Sequence, residues 1–178
     1  MDSYKKKFNS FYFGNKIDKD IKKKLLKFKY PNIIYINHKN VLDLLEVKKF
    51  CKNYNVKLYV SNNINLAKKF SVNGVHLGAD YKKKIYINSK KIDLIGTAHN
   101  QKDFYFKKQQ GCTAVFLSPI FETKKYSKNF VLDVQKFNLI SKNWQIQVYA
   151  LAGINENNLK KLSITKAEGF GGIGFFNL

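Results

Sequence analysis

A chain of 178 residues, 44% of them hydrophobic, can bury one sizeable core but is too short for two ordinary domains, so residues 1–178 read as a single domain. A formal charge of +21 raises nucleic acid or an anionic surface as a partner, but all 33 basic residues are lysine, and without arginine the fork that reads guanine or clamps phosphate is missing; specific nucleic-acid binding is set aside in favour of a general pull on anionic small molecules. No run of about 18 apolar residues marks a membrane span, residues 1–10 lack the apolar stretch of a secretory leader, and Cys51 and Cys112 lack C-x-x-C spacing, so the expectation is a cytoplasmic protein with two buried thiols and no membrane partner.

Short β-rich runs alternate with helical segments along the whole chain, the pattern of parallel strands joined by crossover helices. The predicted strands are 11–14, 33–37, 57–61, 74–77, 93–97, 114–117, 147–151 and 169–173. Between them, apolar residues recur at helical spacing in Ile21-Leu25-Phe28, in Leu44-Val47-Lys48-Cys51 and in Val131-Val134-Phe137-Leu139, with lysines on the other faces as a solvated outer ring requires. The fourth connection, 81–91, is short and alternates Ile85 and Ile87 with polar neighbours, which predicts a loop or one turn instead of a helix. No eighth helix is expected. The architecture is a minimal (β/α)8 barrel, a TIM barrel with a short fourth crossover and without the last helix; a doubly wound open sheet is the alternative. The gap in the helical ring exposes apolar surface that a second copy would cover, so a homodimer is an expectation.

In such a barrel the C-terminal ends of the strands and the loops after them carry the chemistry. This rule selects Ser61-Asn62-Asn63, His76 to Asp80, Thr97-Ala98-His99-Asn100, the segment from Ser118 to Thr123 with Lys124, Lys125, Ser127 and Lys128 behind it, Ala152-Gly153-Ile154-Asn155 and Gly171-Gly172-Ile173-Gly174. The last two segments suggest a phosphate site behind strands seven and eight, because glycine lets backbone N–H groups approach an anion; alternatively, the glycines relieve crowding where the barrel closes. Lys125 and Lys128 can neutralise a phosphate or pyrophosphate as point charges. His99 is a candidate general acid or base, since imidazole titrates near neutral pH. His76, inside a strand, reads as a hydrogen-bonded core residue. His38, His76 and His99 lack metal-ligand spacing, so no zinc site is expected.

Several of these segments, in this order, resemble the thiamine phosphate synthase family with its TenI-type thiazole tautomerases. Gly74-Val75-His76-Leu77-Gly78 is similar to the family's G-V-H-L-G, and Ile95 to Asn100 to its I-G-x-S-x-H segment shortened by one residue. Leu117 to Thr123 is similar to G-P-V-F-x-T, Ala150 to Asn155 to A-I-G-G-I, and Gly169 to Ile173 to the closing G-x-x-G-V strand. Each motif alone is weak; five in the correct order are fairly specific.

The resemblance implies an enzyme that joins an aminopyrimidine pyrophosphate to a thiazole phosphate, giving thiamine phosphate and pyrophosphate with the help of Mg2+. It implies, by position, that Gly153 and the backbone of Gly172, Ile173 and Gly174 hold the thiazole phosphate, that Thr123 contacts the thiazole side, and that Thr97 with Lys125 or Lys128 contacts the pyrophosphate. Lys39 matches the lysine of the family's R-x-K segment, whose arginine is Asn37 here. The N-D-R segment becomes Ser61-Asn62-Asn63, and the second metal carboxylate falls at Tyr81, with Asp80 one residue early, so Asp80 is the candidate metal ligand and Asn62 the candidate substitute. Two other functions use the same barrel: tautomerisation of a thiazole phosphate with His99 as base, and non-catalytic binding of thiamine or thiazole phosphate.

Overall fold

The computed structural model describes residues 9–36, 40–85, 92–142 and 144–177. Eight parallel strands, β1 (Asn9–Gly14), β2 (Asn32–Tyr35), β3 (Leu58–Ser61), β4 (Gly74–Leu77), β5 (Asp93–Ala98), β6 (Ala114–Leu117), β7 (Gln147–Leu151) and β8 (Gly169–Gly172), follow one another around a closed barrel. Closure is made by β1 on β8, from Asn9 opposite Gly169 to Tyr12 opposite Gly172. In a doubly wound sheet these first and last strands would not pair, so the open-sheet alternative is overturned. The predicted strands lie within two residues of those observed at every boundary.

Between the strands run α1 (Lys19–Lys27), α2 (Val41–Asn53), α3 (Ile64–Lys69), α4 (Gln101–Gln109) and α5 (Asp133–Ser141). The first four begin with a side-chain cap: Asp18 accepts from Ile21 N, Asn40 from Leu42 N and Asp43 N, Asn63 from Leu66 N, and Asn100 from Asp103 N. Each such cap is worth about 1 kcal/mol. The seventh crossover holds only a 3₁₀ segment, Leu159–Ile164, and no helix forms over 78–85 of the fourth; Ile87 lies outside the described residues. After β8 the chain makes one helical turn, α6 (Gly174–Asn177), where none was expected. The predicted third helical stripe also needs a correction at its end. Leu139 is 76% exposed because it stands two residues after Phe137, on the opposite face of the helix; the inward positions of α5 are Phe137 and Ser141, with Val134 and Ile140 partly buried beside them.

Alternation along the strands sorts side chains into two layers. Outward residues such as Ile33, Val60, Val75, Val115, Val148 and Phe170 pack under the helices, while Phe11, Phe13, Ile34, Tyr59, Ile95, Phe116 and Tyr149 fill the barrel. Aromatic rings dominate that interior, with Phe11 edge-on to Phe116 at 5.0 Å and to Tyr149 at 4.9 Å. So many rings fit because small residues alternate with them: a methyl group at Gly171 would stand 2.6 Å from the Phe13 ring and 2.9 Å from that of Phe116. Cys51 and Cys112 are buried free thiols, pushed by burial up to about 12.

One lysine departs from the expected solvated outer ring. Lys107 on α4 is fully buried, and its Nζ donates to Gly78 O, Tyr81 O and Gln110 Oε1 at 2.6, 3.0 and 3.1 Å. Burial pulls its pKa down to about 8. Among the described residues, no helix is long and apolar enough to cross a membrane.

Candidate active site at the mouth of the barrel

Two loops meet behind the last strands. At the end of β7 the backbone turns left-handed at Ala152 (φ 71°) and Gly153 (φ 75°), and a Cβ at Gly153 would strike the backbone carbonyls of Phe121 and Glu122 in the loop after β6. The glycine is therefore required by the chain's own close approach, as well as by its φ. Asn158 fixes the turn: its Nδ2 donates to Gly153 O at 2.7 Å, and its Oδ1 accepts from Asn155 N at 2.9 Å. On the other side, Ser118 and Pro119 are joined by a cis peptide, and Thr123 closes the tip of the β6 loop by exchanging backbone bonds with Tyr126.

Between these loops opens a cavity of about 480 Å³. Thr123, Gly153, Gly172, Ile173 and Gly174 line it together, as the glycine segments suggest, alongside Ser118, Glu122, Asn155 and an apolar wall of Phe13, Leu151 and Phe175. Thr123 Oγ1 accepts from Lys125 N and Tyr126 N at 3.2 and 3.0 Å, and as a hydroxyl it still has a proton to donate. α6 starts at the cavity, where the opening N–H groups of a helix have no partner within the helix.

His76 and Thr97 belong to a buried polar line across the top of the barrel interior. His76 Nδ1 lies 3.1 Å from Ser61 Oγ and its Nε2 2.7 Å from Thr97 Oγ1, so the imidazole is the hydrogen-bonded core residue expected of it. Burial, with a smaller push from the Lys107 charge, takes its pKa down to about 3, which keeps the ring neutral. Thr97 is 7% exposed and spends its hydroxyl on His76, which places it beneath the mouth, away from the surface where a pyrophosphate would first arrive.

His99 is half-buried at the rim. Its Nδ1 lies 2.8 Å from Ser118 O, and because a carbonyl only accepts, Nδ1 carries the proton and Nε2 of the neutral ring is left with a lone pair. Asn62 sits across the mouth with φ 54°, its Oδ1 accepting from Gly78 N at 2.8 Å. Asp80 is exposed two residues further on, and no group of three His, Cys, Asp or Glu side chains is placed to hold a metal among the described residues.

Lys125 is exposed and lies over the Tyr126 ring at 5.3 Å. Lys128 does not join the glycine cavity. It lines a neighbouring one of about 610 Å³ with Lys136 and Lys161, because the 3₁₀ turn Lys128–Phe130 carries it to the α5 side of the loop. Lys39, with Asn37 and His38, falls outside the described residues.

Fold and cavity together define a (β/α)8 barrel of the kind that holds a small ligand behind strands seven and eight. Residues 36–174 match the family described as thiamine monophosphate synthase, and the chain belongs to that family. A thiamine-phosphate synthase of Prochlorococcus marinus (strain AS9601) is 29% identical over 133 residues, covering 72% of this chain and 36% of that protein. One from Flavobacterium psychrophilum is 29% identical over 137 residues, 71% of this chain and 66% of the relative. The chain thus spans about a third of the length of the Prochlorococcus relative. A thiamine phosphate pyrophosphorylase from Pyrococcus furiosus superposes with a TM-score of 0.75 over 96% of this chain and 87% of its own, at 14% identity, which speaks for the fold.

Sequence reasoning missed the residues that hold the loops in place. Asn158 and Lys107 act on backbone carbonyls, and the one signal in the sequence was the Asn155-x-x-Asn158 repeat, whose first member accepts from Asn157 N and Asn158 N.

Proposed function

We propose that this barrel joins an aminopyrimidine pyrophosphate to a thiazole phosphate. The observation that carries the reading is the cavity that gathers Thr123, Gly153, Gly172, Ile173 and Gly174 in front of an apolar wall. Backbone N–H groups suit a phosphate, and Phe13, Leu151 and Phe175 suit a small heteroaromatic ring attached to it. In the reaction, the C–O bond between the pyrimidine methylene and the pyrophosphate breaks with its electron pair leaving on the pyrophosphate, and the thiazole nitrogen bonds to that carbon. The chain's part is to hold the thiazole with its nitrogen facing the mouth, to exclude water from the cation with the aromatic floor, and to offer Lys125 to the departing anion.

Magnesium is held by one or two carboxylates together with substrate phosphates. Asp80 is exposed and Asn62 Oδ1 already accepts from Gly78 N, so Asp80 would help hold an ion that arrives on the pyrophosphate, and no site is preformed among the described residues. When bound, the ion neutralises charge developing on the leaving group.

The test is to give the full chain both phosphorylated precursors with and without magnesium and to measure thiamine phosphate. Magnesium-dependent product is expected; its absence while thiazole phosphate binds would sink the joining reaction and leave a binder. One observation favours tautomerisation as a second reading: the Ser118 carbonyl fixes His99 with Nε2 as the basic nitrogen, and Ser118 itself lines the cavity. That reading requires His99→Ala to abolish isomerisation while thiazole phosphate still binds. Pairing of two copies belongs to the same proposal. It is supported by exposed Val41, Leu42 and Leu45 at the start of α2, not at the gap in the helical ring where the apolar surface was expected, and is checked by sedimentation.

A further inference from the structure

The fourth crossover presents a packing problem. Where a barrel normally lays an apolar helix, residues 78–85 run without one, and a segment without helix leaves its carbonyls in need of donors. Lys107 on α4 and Gln110 at its C-cap supply them. Asp103, Lys107 and Gln110, at i, i+4 and i+7, all point at this segment. Asp103 Oδ1 pairs with Lys82 Nζ at 2.8 Å, Lys107 Nζ donates to Gly78 O and Tyr81 O, and Gln110 Nε2 donates to Tyr81 O and Lys83 O at 3.2 and 2.7 Å. Gln110 Oε1 in turn accepts from Lys107, which ties the two donors together. The strand beneath is shaped for the lysine: a Cβ at Gly96 would stand 2.9 Å from Lys107 Cδ. The long stem lies back along α4 towards its N-terminus, as helical side chains do, and so brings the amine to the mouth of the barrel.

We propose that Lys107 is a positioning residue: with Gln110 it takes the place of the missing crossover helix and fixes the segment from Gly78 to Tyr81, so that Asp80 is presented at the mouth on the side opposite the glycine cavity. The catalytic half of this inference rests on the joining reaction proposed above; the structural half does not. The hydrogen bonds of Lys107 all go to carbonyl oxygens of the chain, and it has no part in the chemistry itself. Its effect on binding of the pyrimidine pyrophosphate runs through Asp80, and through the Gly78 N–H that the Asn62 side chain holds from the other side.

The experiment uses the full chain with Lys107→Met, which keeps the apolar stem and removes the donors, and Gln110→Leu as the milder variant should the first fail to fold. Amide hydrogen exchange without any ligand reads the structural half: residues 78–85 are expected to exchange about tenfold faster or more, with β6 and β7 unchanged. Steady-state kinetics reads the other half: KM for the pyrimidine pyrophosphate rises about fivefold or more, while KM for thiazole phosphate and kcat stay close to wild type. A residue that merely stabilised the fold would instead speed exchange everywhere and weaken both substrates alike, and that result overturns the proposal. So does unchanged exchange over 78–85 in both variants. If wild-type protein makes no thiamine phosphate, the joining reaction fails by itself, and magnesium pyrophosphate titrated calorimetrically into wild type and Gln110→Leu replaces the kinetics. Weaker binding in the variant then supports the positioning role, and equal or undetectable binding in both removes it.

Discussion

His76 Nε2 and Thr97 Oγ1 lie 2.7 Å apart inside the barrel, and the same ring reaches Ser61 Oγ on its other side. Both imidazole nitrogens are thus occupied by neutral hydroxyls in a cage of Phe13 and Phe116, where a positive ring has nothing to pair with.

A pH dependence of stability follows from this cage. Burial lowers the His76 pKa from 6.5 to about 3, so between these values the unfolded chain binds a proton that the native protein refuses. Stability therefore rises with pH through that window and falls as the solution is acidified, with a slope of up to about 1.4 kcal/mol per pH unit from this group alone. Urea unfolding of wild type and His76→Gln at pH 4 to 7 checks it; the variant should lose this part of the slope while being less stable near neutrality.

Gly153→Ala is expected to harm fold and site together. Its φ of 75° disfavours any side chain, and the new methyl would meet the carbonyls of Phe121 and Glu122, forcing the β6 and β7 loops apart. A loss of about 1–3 kcal/mol in stability is expected. Thermal denaturation gives the first effect, and titration with thiazole phosphate should show weakened binding.

Asn158→Ala removes the donor to Gly153 O and the acceptor for Asn155 N without touching the cavity wall directly. The expected cost is about 1–3 kcal/mol, since two partly buried backbone groups lose their partner. Affinity for thiazole phosphate should fall with it, and a variant that binds as tightly as wild type would show the turn to be held by other contacts.

Asp103→Ala strikes a different part of the mouth. The carboxylate accepts from Lys82 Nζ, from His99 N at 3.3 Å and from Asn100 Nδ2 at 3.2 Å; desolvation pushes its pKa up, but Lys82 and His99 together outweigh it and hold the pKa below the ordinary value. A carboxyl with a lowered native pKa contributes stability that is present above the unfolded value of 3.8 and is lost as pH falls through the native one. The alanine variant should be less stable at neutral pH, by about 1 kcal/mol for a half-exposed network, and the difference from wild type should shrink in acid.

The strands were legible because their apolar runs end in residues that stop them, as at Gly14 and Ser61, and because family-like motifs fall at their carboxyl ends. The glycine cavity was legible because Gly153 and the glycines from 171 to 174 fall at the carboxyl ends of the last two strands, although Gly171 and Gly153 also make room for close packing of the chain itself. What escaped was any contact whose second partner is backbone. Lys107 looks like each of the other lysines in the sequence, since nothing in the letters marks Gly78 O and Tyr81 O as acceptors waiting for it. The direction in which Lys128 leaves its loop was not legible for a related reason. A loop of about ten residues with no periodicity gives no indication of which way a side chain leaves it, and a single 3₁₀ turn sends this one to the neighbouring cavity. Leu139 was assigned inward although its step of two from Phe137 does not keep the helical spacing of three and four.

The side-chain caps of the first four helices carry a consequence for where charge can settle. Asp18, Asn40, Asn63 and Asn100 each cover a helix start at the mouth of the barrel, so an anion drifting in on the pull of so many lysines meets donors already taken. To bind there it would have to displace a side chain tethered a few residues away, in competition with a very high local concentration. The caps thereby work by exclusion: they narrow what a free anion finds at those four helix starts, whereas α5, which follows β6, begins without a side-chain cap.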